Sequence, residues 1–364
     1  MSNLAADVRA RIEDFVEPAT GRKLAESGAV TQFALQGRTV AVGLLLGFPA
    51  GGYAAELKSA LEAHLADAGF ADLSVEPRIE SRIIAHSVQR GLAPLAQVKN
   101  IVAVASGKGG VGKSTVAVNL ALAWAAAGAR VGVLDADIYG PSQPLMLGLT
   151  GQRPGSPDGK RITPLTAHGV KAMSIGFLVD ASQAVAWRGP MVTSALTQLL
   201  NDTDWGELDY LVIDMPPGTG DIQLTLAQRV PVAGAVIVTT PQDIALADAR
   251  RGVAMFEKVS VPVLGIVENM STHVCTNCGH EEHIFGSGGG AKLAADFKLR
   301  LLAELPLDIH IREEADSGCP SVVAAPGSAR AAAYMRMARA AAGQLAVQGK
   351  DRSSLFPKIV VEEN

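Results

Sequence analysis

The chain has few cysteines, no long apolar run and no excess of basic residues, and each shortage excludes a class of protein. Three cysteines in 364 residues cannot cross-link a fold of this size, and an odd number suits a reducing compartment. No apolar run approaches the roughly 18 residues that a membrane-spanning helix needs, and residues 1–11 lack an apolar signal core. The net charge is −4, from 32 basic and 36 acidic residues, with no basic tail or domain. We therefore expect a cytoplasmic protein with neither a membrane nor a nucleic-acid partner.

Aromatic residues are also scarce, at 4 %, whereas glycine fills 38 positions and hydrophobic residues make up 48 % of the chain. From residue 100 onward, largely apolar, strand-like runs at 101–105, 130–134, 210–213, 235–239 and 261–267 alternate with helical patterns such as 114–127. This alternation predicts an α/β fold with a doubly wound, mostly parallel sheet. We predict a small α+β domain at residues 1–78, a linker at 79–99, the sheet domain at 100–350 and a tail at 351–364.

The first of these runs leads into a glycine-rich segment that satisfies the phosphate-loop pattern G-x-x-x-x-G-K-S and opens a helix. Glycines let several backbone N–H groups point at one phosphate, and the helix N-terminus adds positive potential. Lys113 supplies a cation for the outer phosphates, and Ser114 offers a hydroxyl to Mg²⁺. A dinucleotide site is the alternative, because three of the glycines also match G-x-G-x-x-G. The predicted ATP-binding residues are Gly107, Lys108, Gly109, Gly110, Val111, Gly112, Lys113, Ser114 and Thr115.

Acidic residues end two other predicted strands. Asp214 closes the apolar run 210–213, a Walker B pattern in which the carboxylate holds Mg²⁺. Asp135 and Asp137 follow the run 130–134. Because the carboxyl ends of parallel strands share one edge of the sheet, these acids belong to the predicted nucleotide site, although Asp137 could simply cap a turn.

Cys275 and Cys278 form a C-x-x-C pair just after the strand that ends near Asn269. One pair supplies two soft ligands, whereas tetrahedral zinc and iron–sulfur clusters use four. Three interpretations are open: a Cys2His2 zinc site with His280 and His283, a redox disulfide, or a dimer in which two pairs surround one cluster. The disulfide needs a thioredoxin-like setting that this fold does not offer.

Lys108 is a second lysine inside the phosphate loop, and the run 108–115 resembles the deviant Walker A ATPases of the MinD, ParA and nitrogenase iron-protein type. That resemblance implies that Lys108 reaches the nucleotide of a partner subunit and assists Lys113 in catalysis, as an arginine finger does. It also implies that an acid at the end of the strand 130–134, Asp135 or Asp137, orients the attacking water. We favour Asp137 because it begins the loop, and Asp135 is then expected to be associated with Mg²⁺. Asn269 is then expected to read the adenine edge, for which an amide offers both a donor and an acceptor.

The sequence E-N-M-S at 268–271, followed by Cys275 and Cys278 on such a domain, is similar to the Mrp/ApbC family of iron–sulfur cluster carrier ATPases. The resemblance is strong from residue 100 to about 325. It implies a homodimer that hydrolyses ATP, holds a bridging 4Fe–4S cluster through both cysteine pairs, and delivers it to apo iron–sulfur proteins. A positioning ATPase of the MinD/ParA kind is the alternative, but the proline-containing tail with two terminal acids fits neither a membrane nor a DNA anchor.

The first domain departs from this family, because its relatives often carry a cysteine in the loop after the second strand. The corresponding loop here, residues 47–52, has no thiol. We therefore expect a docking module rather than a metal site there, and we expect Cys319 to be an incidental packed thiol.

Overall fold

The structure is a computed structural model, and it describes residues 2–157, 159–178, 189–275 and 277–349. The predicted tail at 351–364 lies outside these described residues.

The N-terminal unit is a three-stranded sheet covered by helices. Strands β3 and β4 form an antiparallel pair across a tight turn, and β4 continues into α3, which returns the chain to β5 in parallel register. Helix α3 buries Leu57, Leu61 and Leu65, one residue per turn, so a single apolar stripe holds it on the sheet. The elements are α1 (Ser2–Asp14), β1 (Val16–Glu17), β2 (Arg22–Lys23), α2 (Leu24–Ser27), β3 (Val30–Gln36), β4 (Thr39–Leu46), α3 (Ala54–Asp67) and β5 (Ser74–Ser81).

The second unit is built on an eight-stranded sheet in the order β15-β12-β11-β6-β10-β7-β9-β8. Every neighbouring pair is parallel except β8 with β9. The central strands are buried along their whole length, which explains their uninterrupted apolar sequence. The strands are β6 (Val98–Ser106), β7 (Val131–Asp135), β8 (Leu165–Ala167), β9 (Val170–Ser174), β10 (Leu208–Asp214), β11 (Gly234–Thr239), β12 (Val263–Glu268) and β15 (Leu301–Glu304), with a separate β13 (His273–Val274) and β14 (Glu281–Glu282).

Helices pack on both faces of this sheet. Trp124 on α4 stacks on Tyr210 of β10 with ring centroids 4.3 Å apart, and its indole N–H donates to the Ala338 carbonyl of α12 at 2.8 Å. This doubly wound arrangement confirms the predicted fold class. The helices are α4 (Lys113–Ala126), α5 (Gln143–Met146), α6 (Gly189–Asp202), α7 (Asp221–Arg229), α8 (Asp243–Lys258), α9 (Gly289–Asp296), α10 (Ile309–Asp316), α11 (Ser321–Ala324) and α12 (Ala329–Ala346).

Two strands extend into the predicted linker at residues 79–99. Strand β5 continues to Ser81, three residues beyond the predicted end of the first domain at 78, because it pairs with β4 along its whole length. Strand β6 begins at Val98, inside the predicted linker, because Val98 pairs with Leu208 of β10. The division into domains stays a prediction.

The two units touch through the loop after β1. The Arg300 guanidinium donates to the carbonyls of Pro18 and Ala19, and Gln344 of α12 donates to Ala19 at 2.9 Å. Arg339 of α12 lies 3.8 Å above the Tyr53 ring. Within the described ranges, no helix combines the length and hydrophobicity needed to cross a membrane.

Candidate functional site

The phosphate loop joins the end of β6 to the start of α4 in a conformation that needs glycine. Gly110 and Gly112 both have φ of 82°, in the left-handed region. Gly107 has a different role, because a Cβ there would lie 2.2 Å from the backbone carbon of Asp248 in α8. The loop is thus pressed against α8, and its backbone can curl around an anion at the N-terminus of α4.

Lys113 and Asp214 form a buried ion pair at the heart of the site, with 6 % and 0 % of their side chains exposed. The same ammonium lies 3.2 Å from the Ser114 hydroxyl. A buried pair of this kind survives only when further hydrogen bonds satisfy both ions. Lys113 therefore contacts both Ser114 and Asp214, the other two side chains predicted to hold phosphate and Mg²⁺.

Gln143, on α5, completes this cluster and was not predicted from the sequence. Its Nε2 donates to Asp214 Oδ2 at 2.8 Å and to the Ser114 carbonyl at 3.2 Å. Its Oε1 is buried and accepts no hydrogen bond from the described residues. A hydrated Mg²⁺ would offer water hydrogens to such an oxygen, so the donor set of Ser114, Asp214 and Gln143 fits the ion. The only sequence signal was its place in the proline-rich loop after the strand-end acids.

Asp135 lies beside Asp214 because the two residues are register partners on β7 and β10. Its carboxylate accepts hydrogen bonds from the backbone of Ser142 and Gln143 at 3.0 Å, and from the Ser174 hydroxyl at 3.2 Å. Burial, reinforced by the charge of Asp214, raises the pKa of Asp135 to about 7. Asp135 thus anchors the loop 137–143 at the edge of the nucleotide site.

Asp137 is half-buried at the start of that loop. Burial raises its pKa, whereas the Lys113 charge and the backbone amides of Gly140 and Tyr139 lower it. These amide contacts are the turn-capping interaction that the sequence left open as an alternative. The predicted role of Asp137 in orienting water stays a prediction.

Lys108 is half-buried in the loop, where its carbonyl accepts the Ser106 hydroxyl at 2.8 Å. In the part of the chain that the structure describes, its ammonium has no carboxylate partner within ion-pair distance. A cation left without an internal partner is available to an external phosphate.

Asn269 follows β12 and touches the phosphate loop. Its Nδ2 donates to the Val111 carbonyl at 2.9 Å, and a Cβ on Gly112 would lie 2.2 Å from that nitrogen. The predicted contact with adenine is not tested by this arrangement. The structure adds a contact that the sequence did not predict, since Asn269 also holds the loop itself.

The cysteine pair lies at the tip of a short antiparallel hairpin made by β13 and β14. Cys275 N–H donates to the His280 carbonyl, and Gly279 N–H donates to the Cys275 carbonyl, both at 2.9 Å. The backbone amides of Cys278 and Asn277, with the Cys278 thiol, lower the pKa of Cys275. The thiolate is the form that binds metals, so this turn favours Cys275 as a ligand.

The described residues contain no group of three or more His, Cys, Asp or Glu side chains placed to hold one metal ion. The Cys2His2 interpretation needed His280 and His283 beside the cysteines. His280 is exposed, and His283 Nδ1 instead bonds the Ser271 carbonyl at 2.7 Å. Cys319 is half-buried after α10, away from the hairpin.

Comparisons with known proteins agree with this geometry. The matching family model, ParA, is described as NUBPL iron-transfer P-loop NTPase and covers residues 97–342. The iron-sulfur cluster carrier protein of Haemophilus influenzae is 52 % identical over 351 residues, covering 95 % of both chains. The iron-sulfur cluster transfer protein NUBPL of Mus musculus is 53 % identical over 256 residues, covering 69 % of this chain and 80 % of that one.

A solved structure is also similar. The nucleotide-binding protein of Archaeoglobus fulgidus in complex with ADP is 41 % identical, with a TM-score of 0.55, and covers 61 % of this chain and 87 % of that one. Together with the family model, this similarity confirms the resemblance to cluster carrier ATPases, and the dinucleotide alternative is wrong.

Proposed function

Because the chain belongs to the family of NUBPL-type iron-transfer P-loop NTPases, and is therefore an ATPase, we propose that it binds a 4Fe–4S cluster as a homodimer and transfers it to apo iron–sulfur proteins. The proposal gives each of its two candidate sites one role. The phosphate loop hydrolyses ATP, and the cysteine hairpin holds the cluster as cargo.

The observation that carries the proposal is the two-thiol hairpin. Cys275 and Cys278 lie on one turn whose amides favour the thiolate of Cys275, and the described residues offer the pair no third ligand from this chain. A 4Fe–4S cluster is held by four thiolates. A second copy of the chain supplies the other two, so the shared cluster and the homodimer are one proposal.

The nucleotide site is proposed to work with ATP and Mg²⁺. Ser114 and Asp214 would hold the ion, which when bound neutralises charge on the outer phosphates. Lys113 exchanges its carboxylate partner for the phosphates, and Asp137 orients the attacking water. Lys108 has no internal partner in the described chain and reaches the nucleotide of the partner subunit.

Anaerobic reconstitution with iron and sulfide tests the cargo. We expect the wild-type protein to bind about four irons and about four sulfides per two chains. The double variant Cys275→Ala, Cys278→Ala should bind neither, whereas Cys319→Ala should bind as much as wild type. Equal iron and sulfide in the double variant would overturn the proposal.

Metal analysis of anaerobically purified protein separates this proposal from the zinc alternative. Labile sulfide that accompanies iron supports the carrier. Stoichiometric zinc without sulfide would instead favour a structural site. The cytoplasmic location stays a prediction.

A further inference from the structure

The segment 269–272, which we name the connector, joins the phosphate loop to the cysteine hairpin. At its first residue, Asn269 Nδ2 donates to the Val111 carbonyl at 2.9 Å. Asn269 and Ser271 are both buried, at 6 % and 2 % exposure. Only residues 273 and 274 separate the end of the connector from Cys275.

Hydrogen bonds fix the far end of the connector to the hairpin. His283, just after β14, bonds through Nδ1 to the Ser271 carbonyl at 2.7 Å. The Thr272 carbonyl accepts Leu307 N–H at 2.7 Å, and His273 Nδ1 in turn bonds the Leu307 carbonyl at 3.0 Å. Because a carbonyl only accepts, each histidine carries its proton on Nδ1. Both ends of the hairpin are therefore bonded to the connector or to the segment that follows β15.

The middle of the connector cannot absorb movement easily. Ser271 N–H donates to the Leu305 carbonyl at 2.9 Å, at the end of β15. Met270 has φ of 60°, a left-handed conformation that is uncommon for a residue with a flexible side chain and persists only where the surroundings impose it. A displacement of Asn269 is therefore expected to displace Ser271 as well.

Nucleotide binding acts on the first of these bonds. The Val111 carbonyl and the Gly112 N–H belong to the same planar peptide group. Gly112 N–H is one of the loop amides available to a phosphate, so any rotation of that peptide on binding also moves the acceptor of Asn269.

We propose that His283 is a positioning residue that, through the connector, makes the reactivity of Cys275 and Cys278 depend on whether the phosphate loop is occupied. The inference deepens the proposed function, since it assigns the regulation of the cluster site to contacts within one chain. It concerns the thiols themselves, so it is measured on reduced, cluster-free protein.

The experiment is anaerobic alkylation of the full chain with iodoacetamide, with rates for each cysteine read by peptide mass spectrometry and Cys319 as the internal reference. Rates are compared without nucleotide, with Mg²⁺–ADP, and with Mg²⁺ and a non-hydrolysable ATP analogue. We expect occupancy to change the rate at Cys275 and Cys278 by about fivefold, the low end of ordinary coupling between two sites.

Three variants separate positioning from general damage. His283→Ala should abolish the nucleotide response while still binding nucleotide. His283→Asn should restore it, because the asparagine amide nitrogen can stand where Nδ1 stands. His280→Ala is the matched control on the same hairpin, since His280 is exposed like His283 but, among the described residues, bonds only through its backbone. A full response in His283→Ala, or none in wild type, would overturn the inference.

Oligomeric state and cluster loading are followed in parallel. Size-exclusion chromatography at the same concentrations must show that the thiol response follows nucleotide occupancy; a response that follows dimer formation alone contradicts the inference. If the thiols respond but no cluster can be reconstituted, the carrier function fails while the coupling stands. If a cluster forms but the thiols do not respond, the coupling fails alone.

Discussion

Two carboxylates lie side by side at the centre of the nucleotide site, and one of them is paired with an ammonium. Asp135 and Asp214 are adjacent because their strands are in register, and Lys113 pairs with Asp214. Burial disfavours the ionised form of Asp135, and the like charge of Asp214 adds to this effect, so the pKa of Asp135 is raised. With two carboxylates and one ammonium, the nucleotide-free site has an excess of negative charge, which bound cations would offset.

The raised pKa of Asp135 makes stability depend on pH. In the folded protein its pKa is about 7, against 3.8 as the ordinary value. The folded state therefore binds more protons than the unfolded state between these values, and stability falls as pH rises through that window. We expect Asp135→Asn to remove this part of the fall, so that its melting temperature changes less than that of wild type between pH 5 and pH 8.

Thermal unfolding of nucleotide-free, Mg²⁺-free protein measures this effect, and the slope with pH matters rather than the absolute melting temperature. Asn replaces an acceptor oxygen by a donor, which adds a cost that does not vary with pH. The exposed Asp72 gives the matched control, Asp72→Asn, which should keep the wild-type slope. If the melting temperature of Asp135→Asn fell with pH as steeply as that of wild type, the prediction would be contradicted.

At this scale, the sequence predicts residues whose place in the fold follows from a motif, and their roles stay predictions. Residues 107–115 and Asp214 could be predicted because a glycine-rich loop before a helix and an acid at the end of a strand are patterns with a known geometry. Gln143 was not found, because its contact with Asp214 spans 71 residues of sequence and depends on how the loop after β7 folds back. The sequence indicated Asn269 as an adenine-binding residue, but it did not predict the hydrogen bond from Asn269 to the Val111 carbonyl.

At the scale of elements, the long central strands were predictable and the short strands toward the two ends of the sheet were not. Strands β6, β10 and β11 are covered on both faces, so each reads as an apolar run. Strands β9 and β15 have five and four residues and mix polar with apolar side chains, which gives no usable periodicity. The cysteine hairpin rests on two-residue strands and is defined by backbone hydrogen bonds instead.

The close packing of the phosphate loop on α8 makes Gly107 a position where a single added methyl group is disruptive. In Gly107→Ala, the new Cβ would meet the Asp248 backbone at 2.2 Å, so loop and helix must separate. Overpacking of this kind costs about 1–3 kcal/mol. We expect a lower melting temperature in the absence of nucleotide, measured by differential scanning calorimetry.

Gly109→Ala is the matched control within the same loop. The nearest atom to a Cβ there is 4.0 Å away, on Pro217, and Gly109 does not need a positive φ. Its melting temperature should stay close to that of wild type. Equal destabilisation in both variants would show that loop conformation, rather than contact with α8, sets the cost.

At the scale of the whole molecule, the sequence could not show how the N-terminal unit packs. The contacts join residues about 280 to 325 positions apart, such as Arg300 with Ala19 and Gln344 with Thr20. They depend on backbone carbonyls of the loop after β1, which carry no sequence signal. In the second unit, these contacts come from α12 and from the residue just before β15. Both units also contribute to one continuous apolar core.

The polar contacts between the two units predict that the N-terminal unit can be loosened without unfolding the sheet of the ATPase unit. The double variant Arg300→Met, Gln344→Met keeps the apolar stems but removes hydrogen bonds to Pro18, Ala19 and Thr20, each worth about 1 kcal/mol. Hydrogen exchange should accelerate in residues 16–46, while amides of β6 and β10 keep their wild-type protection. Arg312→Met, which removes exposed ion pairs on α10, should change neither region. Equal acceleration in β6 and β10 would mean that the two units unfold as one and would contradict the predicted division near residue 78.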